Sequence, residues 1–325
     1  MIVRLVGSTV VGVLLLSASL AASSCPAASF VDVPGVRLEY IDWGGAGDPI
    51  VLVPGGCQSA MVFDDFARLL TPAHRLLGVT ARGCGLSGLA PSGYGIDMQI
   101  DDLIGFLDAL GIERGAFAGH SSGGGVVIRL ARRYPKRVTR LITLDTIYGG
   151  VPPEFEPQME TAIRANLDVP PALSLESHRR VFQAWELGAW SGALECEFLR
   201  QTERQPDGSL KYRPRLPAWQ TAFAGDTEAG RYFETTIRHP ALFLVARDLD
   251  LARIRQLSTA RQRELRPLVG KIIKVRGQQI KAFQRNGRNV RVTWLSNASH
   301  YLFVDRMQEV AAQVRQFMQV VDRRP

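Results

Sequence analysis

Eight short apolar, largely β-branched runs punctuate this sequence: Phe30–Val33, Arg37–Ile41, Ile50–Val53, Arg75–Val79, Gly115–Gly119, Arg140–Leu144, Ala241–Ala246 and Val290–Leu295. The later ones are continuous rather than alternating, the pattern of strands covered by helices on both faces. Helical patterns lie between them. Across Asp97–Leu110 the apolar side chains of Ile100, Leu103, Ile104, Leu107 and Leu110 recur at helical spacing, and Gly111 stands where a helix would stop. Val126–Tyr134 and Met307–Val320 read similarly. The alternation predicts an α/β fold, a doubly wound, mostly parallel eight-stranded sheet whose earliest strands can form an antiparallel edge. With 325 residues, 46% of them hydrophobic and 22% charged, the chain can bury a full core.

One stretch interrupts the alternation. Residues 150–239 show no convincing strand but carry helical patterns rich in aromatics, among them Phe182, Trp185, Trp190, Phe198, Trp219 and Tyr232. That is too long for a structureless loop, so it is read as a helical cap inserted after strand six of a domain spanning 30–325.

At the N-terminus, Arg4, the apolar run Leu5–Leu20 and Ala21-Ala22-Ser23-Ser24-Cys25 form the three parts of a secretory signal. Residues 1–24 are therefore expected to be a cleaved export signal, and the mature protein periplasmic or secreted. The alternatives are an uncleaved N-terminal anchor and acylation at Cys25, although Ala22 stands where lipoprotein signals usually carry Leu. The four cysteines, Cys25, Cys57, Cys84 and Cys196, fit no zinc spacing. In an oxidising compartment Cys57 and Cys84, on adjacent loops, can pair or remain two small unpaired residues.

The formal charge of +8 has an address. Between Arg253 and Arg291 stand twelve Lys or Arg and a single acid, Glu264. The segment is Gln- and Arg-rich with few aromatics, unlike a nucleic-acid platform, so no nucleic-acid partner is expected. A solvated helical face is the default, and an anionic membrane surface the partner that would suit it.

Gly119-His120-Ser121-Ser122-Gly123 is a G-x-S-x-G pattern that follows an apolar run and opens a helical one. A sharp strand-to-helix turn strains Ser121, and glycines two residues away on each side keep β-carbons out of the space beneath it. Ser122 does not satisfy the pattern, because His120 lies two residues upstream of it. Ser121 is thus the candidate nucleophile, and a serine needs a base. Of five histidines, His74 precedes a strand, His120 lies inside the turn, and His178 and His239 lie in or beside the insertion. His300 follows the last strand on a loop at the same sheet edge, and is the expected base.

A carboxylate must fix the imidazole tautomer. Asp145 ends strand six, while Asp248 and Asp250 follow strand seven, and the sequence leaves the choice open. An oxyanion would be held by the N–H of Ser122 and by that of Gly56 in Val53-Pro54-Gly55-Gly56-Cys57, where glycines admit a close approach.

Together these residues resemble the α/β-hydrolase fold superfamily over about Phe30 to Met318. Arg82-Gly83-Cys84-Gly85-Leu86-Ser87 is similar to its R-G-x-G-x-S turn after strand four, and Arg133-Tyr134-Pro135-Lys136-Arg137-Val138 to the usual helix end before strand six. Pro54 and Thr80 depart from the family's H-G and D-R-G patterns. Asp248 and Asp250 each stand one place off its G-x-x-D, which keeps Asp145 in contention. The resemblance implies a serine hydrolase cleaving a carboxylic ester or related small acyl substrate, without a cofactor. Peptidase, thioesterase, lactonase and carbon–carbon hydrolase activities share the fold, as would a non-catalytic ligand-binding protein.

Overall fold

The computed structural model describes residues 25–146, 158, 161, 173–213, 237–287 and 289–319. The expected signal at 1–24 lies outside the described residues, as does much of the expected cap, of which 173–213 is the main described part.

The strands are β1 (Ser29–Val33), β2 (Val36–Gly44), β3 (Pro49–Val53), β4 (Arg75–Val79), β5 (Gly115–His120), β6 (Val138–Leu144), β7 (Thr202–Arg204), β8 (Leu210–Tyr212), β9 (Ala241–Ala246) and β10 (Val290–Leu295). Eight of them form one sheet in the order β1-β2-β4-β3-β5-β6-β9-β10. The β1/β2 and β2/β4 pairs are antiparallel and the remaining pairs parallel. The expected doubly wound, mostly parallel sheet is therefore present, with its antiparallel edge at the start of the chain.

Helices α1 (Asp64–Arg68), α2 (Ile96–Ala109), α3 (Ser122–Arg133), α4 (Leu175–Trp185), α5 (Gly192–Arg200), α6 (Leu249–Arg255), α7 (Thr259–Asn286), α8 (Leu302–Asp305) and α9 (Met307–Gln319) surround it. The continuous apolar strands bury both faces, and the period of two divides their side chains between two cores. Phe117, Leu141 and Phe243 point into the core with Phe106 of α2 and Phe283 of α7. Ala116, Ala118, Ile142 and Leu244 point the other way, onto Phe66 of α1, Phe303 of α8 and Val314 of α9.

Between β6 and β9 the described residues hold α4, α5 and a two-stranded antiparallel hairpin, β7 with β8. The hairpin corrects the expectation that this stretch lacks strands. Its turn runs through Asp207 and Gly208, the latter at φ 84°, and the Ser209 N–H donates to Asp207 Oδ1 at 2.9 Å. Asp-Gly is a strong turn signal, but the strands it joins have three residues each and leave little periodicity to read.

Two disulfides are present, Cys57–Cys84 and Cys25–Cys196. In the second, the Cys25 sulfur is bonded to that of Cys196. This bridge joins the residues before β1 to α5. Beside it the Ser59 N–H donates to Glu197 Oε1 at 2.9 Å, and Arg200 pairs with the fully buried Glu39. A cross-link closing a sequence separation of 171 restricts the unfolded chain strongly. Replacing Cys25 and Cys196 together by Ser should destabilise the protein by about 2–5 kcal/mol. Denaturant unfolding of the oxidised protein and the double variant measures this directly, and coincident midpoints would contradict it.

The basic stretch 253–291 takes in the end of α6 and nearly all of α7, a 28-residue helix with much of its surface in solvent. Two of its arginines depart from the solvated expectation. Arg253 is buried, and the Arg276 side chain is only 14% exposed, both turned toward the edge of the sheet.

Candidate active site

At the end of β5 the chain turns into α3 through Ser121, which sits at φ 52°, ψ −123°. Side chains rarely adopt this conformation, and surrounding contacts must hold it. The Ser121 N–H donates to Leu144 O at 3.1 Å, and its carbonyl accepts from the Gly124 N–H at 3.1 Å. The flanking glycines are required by space: a β-carbon on Gly119 would lie 2.3 Å from Gly123 O, and one on Gly123 2.3 Å from Val53 O. Ser121 is the N-cap residue of α3, so its side chain stands at the positive end of that helix.

Strands β5, β6 and β9 are parallel and in register, with His120 opposite Leu144 and Leu144 opposite Leu244. The residues just beyond them therefore lie side by side. Asp145, also at a positive φ of 41°, directs Oδ1 to accept from the Ala246 N–H at 2.9 Å. Its Oδ2 lies 2.7 Å from His300 Nδ1. Burial pushes the Asp145 carboxyl up, but the Arg276 guanidinium and the hydrogen bonds from His300 and Ala246 outweigh it and hold the group below the usual range. An ionised Asp145 accepts the Nδ1 proton, which leaves Nε2 of His300 as the proton-accepting nitrogen.

Of the acids left open by the sequence, the structure brings Asp145 to His300. Asp248 is exposed at the N-cap of α6. Asp250 is buried, but it faces Arg253 at 3.6 Å and Arg276 at 3.3 Å. It belongs to a layer of charge behind Asp145, for Arg276 also donates to Ala246 O at 3.3 Å.

The loop after β3 packs against the serine. A β-carbon on Gly55 would lie 2.6 Å from Ser121 Cβ. Gly56 and Cys57 follow at φ 56° and 61°, and the disulfide ties Cys57 to Cys84 in the turn after β4. Gly56 and Ser122 do meet, but through the side chain: the Gly56 N–H donates to Ser122 Oγ at 3.0 Å. An oxygen arriving between the two backbone donors would have to displace that hydroxyl.

Three side chains not anticipated from the sequence surround His300. His120 lies beneath it, ring centroids 4.6 Å apart, and its Nε2–H donates to His300 O at 3.1 Å. Burial pushes the His120 imidazole well below its usual range, so it is a neutral prop. Tyr301 packs its buried ring on Phe182 of α4 and on His120. Glu186, at the end of α4, accepts from the His300 N–H at 3.0 Å. Nothing local in the sequence marks Glu186, because its position depends on how the insertion docks. Among the described residues no cluster of His, Cys, Asp or Glu is arranged to hold a metal ion.

A strained serine turn and a His–Asp pair thus share the carboxyl edge of one doubly wound sheet, with the ring of His120, the residue before Ser121, packed on that of His300. Residues 48–244 match the model of the alpha/beta hydrolase fold family, and the chain belongs to that family. The 2-hydroxymuconate semialdehyde hydrolase of Pseudomonas sp. (strain CF600) is 34% identical over 117 residues, covering 34% of this chain and 41% of that protein. The N-formylmaleamate deformylase of Pseudomonas putida is 32% identical over 121 residues, covering 37% and 45% respectively. The chain thus matches less than half the length of these relatives. In overall fold it is similar to E-2-(acetamidomethylene)succinate hydrolase, with a TM-score of 0.63 at 17% identity over 90% of this chain and 99% of that one.

Proposed function

We propose that this chain is an exported serine hydrolase that cleaves a carboxylic ester or a related acyl compound through an acyl-enzyme. The observation that carries the reading is the 2.7 Å contact between His300 Nδ1 and Asp145, at the sheet edge where Ser121 emerges. His300 takes the Ser121 proton at Nε2 as the oxygen attacks the carbonyl carbon, and Asp145 offsets the imidazolium that results. The carbonyl oxygen, now negative, displaces the Ser122 hydroxyl and accepts from the N–H groups of Gly56 and Ser122. His300 returns the proton to the leaving alcohol as the C–O bond breaks. Water then repeats the sequence on the acyl group, releasing the acid and restoring Ser121. Two disulfides support an oxidising compartment, in keeping with the signal-like residues 1–24.

Acyl esters of graded chain length, tested beside an amide, a thioester and a carbon–carbon substrate, examine the reading. The expected result is a burst of leaving alcohol equal to the enzyme present, followed by slower steady turnover of at least one ester. Turnover of the carbon–carbon substrate alone would transfer the site to carbon–carbon bond hydrolysis. No turnover of any would favour the non-catalytic binding role.

A further inference from the structure

The polar groups around His300 form a closed circuit with a part outside the Ser–His–Asp arrangement. From the His300 N–H it runs to Glu186 Oε2 at 3.0 Å, and from Glu186 Oε1 to Arg253 at 2.6 Å. Arg253 faces Asp250, and Asp250 faces Arg276. Arg276 donates to Ala246 O, the Ala246 N–H donates to Asp145, and Asp145 returns to His300 Nδ1. Glu186 is 2% exposed and Arg253 6%, so the circuit is shielded from solvent where it meets the insertion.

We propose that Glu186, contributed by the insertion, is a positioning residue for His300, fixing the backbone of the histidine loop and supplying a second negative charge that favours the imidazolium. The inference rests on the serine-hydrolase reading above. Asp145 orients the ring and His120 holds the His300 carbonyl, and the bond from the His300 N–H to Glu186 fixes the opposite side of the same residue's main chain. Charge makes the second contribution. Among the described residues, Asp145, Glu186 and Asp250 meet the guanidiniums of Arg253 and Arg276, so three carboxylates stand against two guanidiniums and a protonated His300 would offset the third. Among the described residues, the other polar rings against His300 are His120, whose imidazole burial pushes well down, and Tyr301, whose phenol is pushed up by burial and by Glu186. Neither supplies a compensating charge. Burial pushes the Glu186 carboxyl up, while Arg253 and His300 both favour its ionised form.

Glu186→Gln tests this, because the amide oxygen can still accept from the His300 N–H while the charge is gone. In the full-length oxidised protein, the midpoint of the acid limb of kcat/KM for a p-nitrophenyl ester should fall by about one pH unit. kcat should drop by about tenfold, with KM little changed. Glu186→Asp, which keeps the charge but shortens the reach, should retain the parent midpoint and lose rate. A folded Glu186→Gln protein with the parent midpoint overturns the proposal. If Gln at this position prevents folding, the Asp variant decides: a parent rate overturns the proposal, and a reduced rate at the parent midpoint supports it. Failure of the underlying reading is separately visible, since a Ser121→Ala protein that keeps its esterase activity would remove the serine reaction whatever Glu186 does.

Discussion

The Ser121→Ala protein is expected to take up no fluorophosphonate and to lose about 10⁶-fold in kcat, while its fold persists. No other side chain occupies the strained turn at the end of β5 with the N-terminus of α3 beneath it. Ser122 is a near neighbour, but its hydroxyl accepts from the Gly56 N–H and its backbone is already helical. Alanine can keep the Ser121 N–H bond to Leu144 O and the close glycine contacts, so thermal unfolding should move little. Mass spectrometry of intact protein after probe treatment gives the answer, and stoichiometric labelling of the variant would remove Ser121 from the reaction.

Asp145→Asn should lower kcat by about 10³–10⁴-fold, roughly 4–5.5 kcal/mol in the barrier. The amide would still accept from the Ala246 N–H through its oxygen, so the loop after β6 should keep its shape. Its NH₂, placed where Oδ2 now meets His300 Nδ1, is a donor facing a nitrogen that must itself donate. Either the bond is lost or the imidazole changes tautomer, and in the second case Nε2 carries the proton it should accept. Asp248→Asn, at an exposed helix cap, should stay within about tenfold of the parent. Asp250→Asn should act mainly on stability, because it leaves the buried Arg253 and the half-buried Arg276 beside an uncharged group. Steady-state kinetics with thermal unfolding on the three variants separates these outcomes. An Asp145→Asn protein with parental kcat would exclude Asp145 as the partner of His300.

The eight strands of the main sheet are legible in the sequence because doubly covered strands need unbroken apolar runs, and such runs have few other uses. Ser121 and His300 are legible as candidates because a crowded turn demands glycines at fixed spacing and because few histidines follow a strand. The acid is harder. β6 and β9 are adjacent and in register, so Asp145 and Asp248 leave the sheet at neighbouring places, and the sequence does not say which carboxylate turns inward. Asp250 shows why burial alone does not decide the matter, being buried yet committed to arginines. Glu186, Arg253 and Arg276 gain their meaning only from docking of the insertion and of α7. The Cys25–Cys196 bridge likewise depends on tertiary proximity, whereas Cys57 and Cys84 flank loops that the order β4-β3 makes neighbours.

The nested pairing of the cysteines bears on how the molecule is assembled. A chain emerging from its N-terminus presents Cys25, then Cys57, then Cys84, and only much later Cys196. Oxidation in order of appearance would therefore join Cys25 to Cys57 and strand Cys84 until the insertion arrived. The native arrangement needs β3 and β4 to pair early enough to bring Cys57 against Cys84, or needs a later exchange in which the Cys84 thiolate attacks Cys57 and releases Cys25 for its distant partner. Exchange takes seconds to hours unless an isomerase assists, far slower than strand pairing. Maturation of this protein is thus tied to the thiol chemistry of the place where it folds, and an oxidant that outran the pairing of β3 with β4 would, without an isomerase, trap a misjoined species.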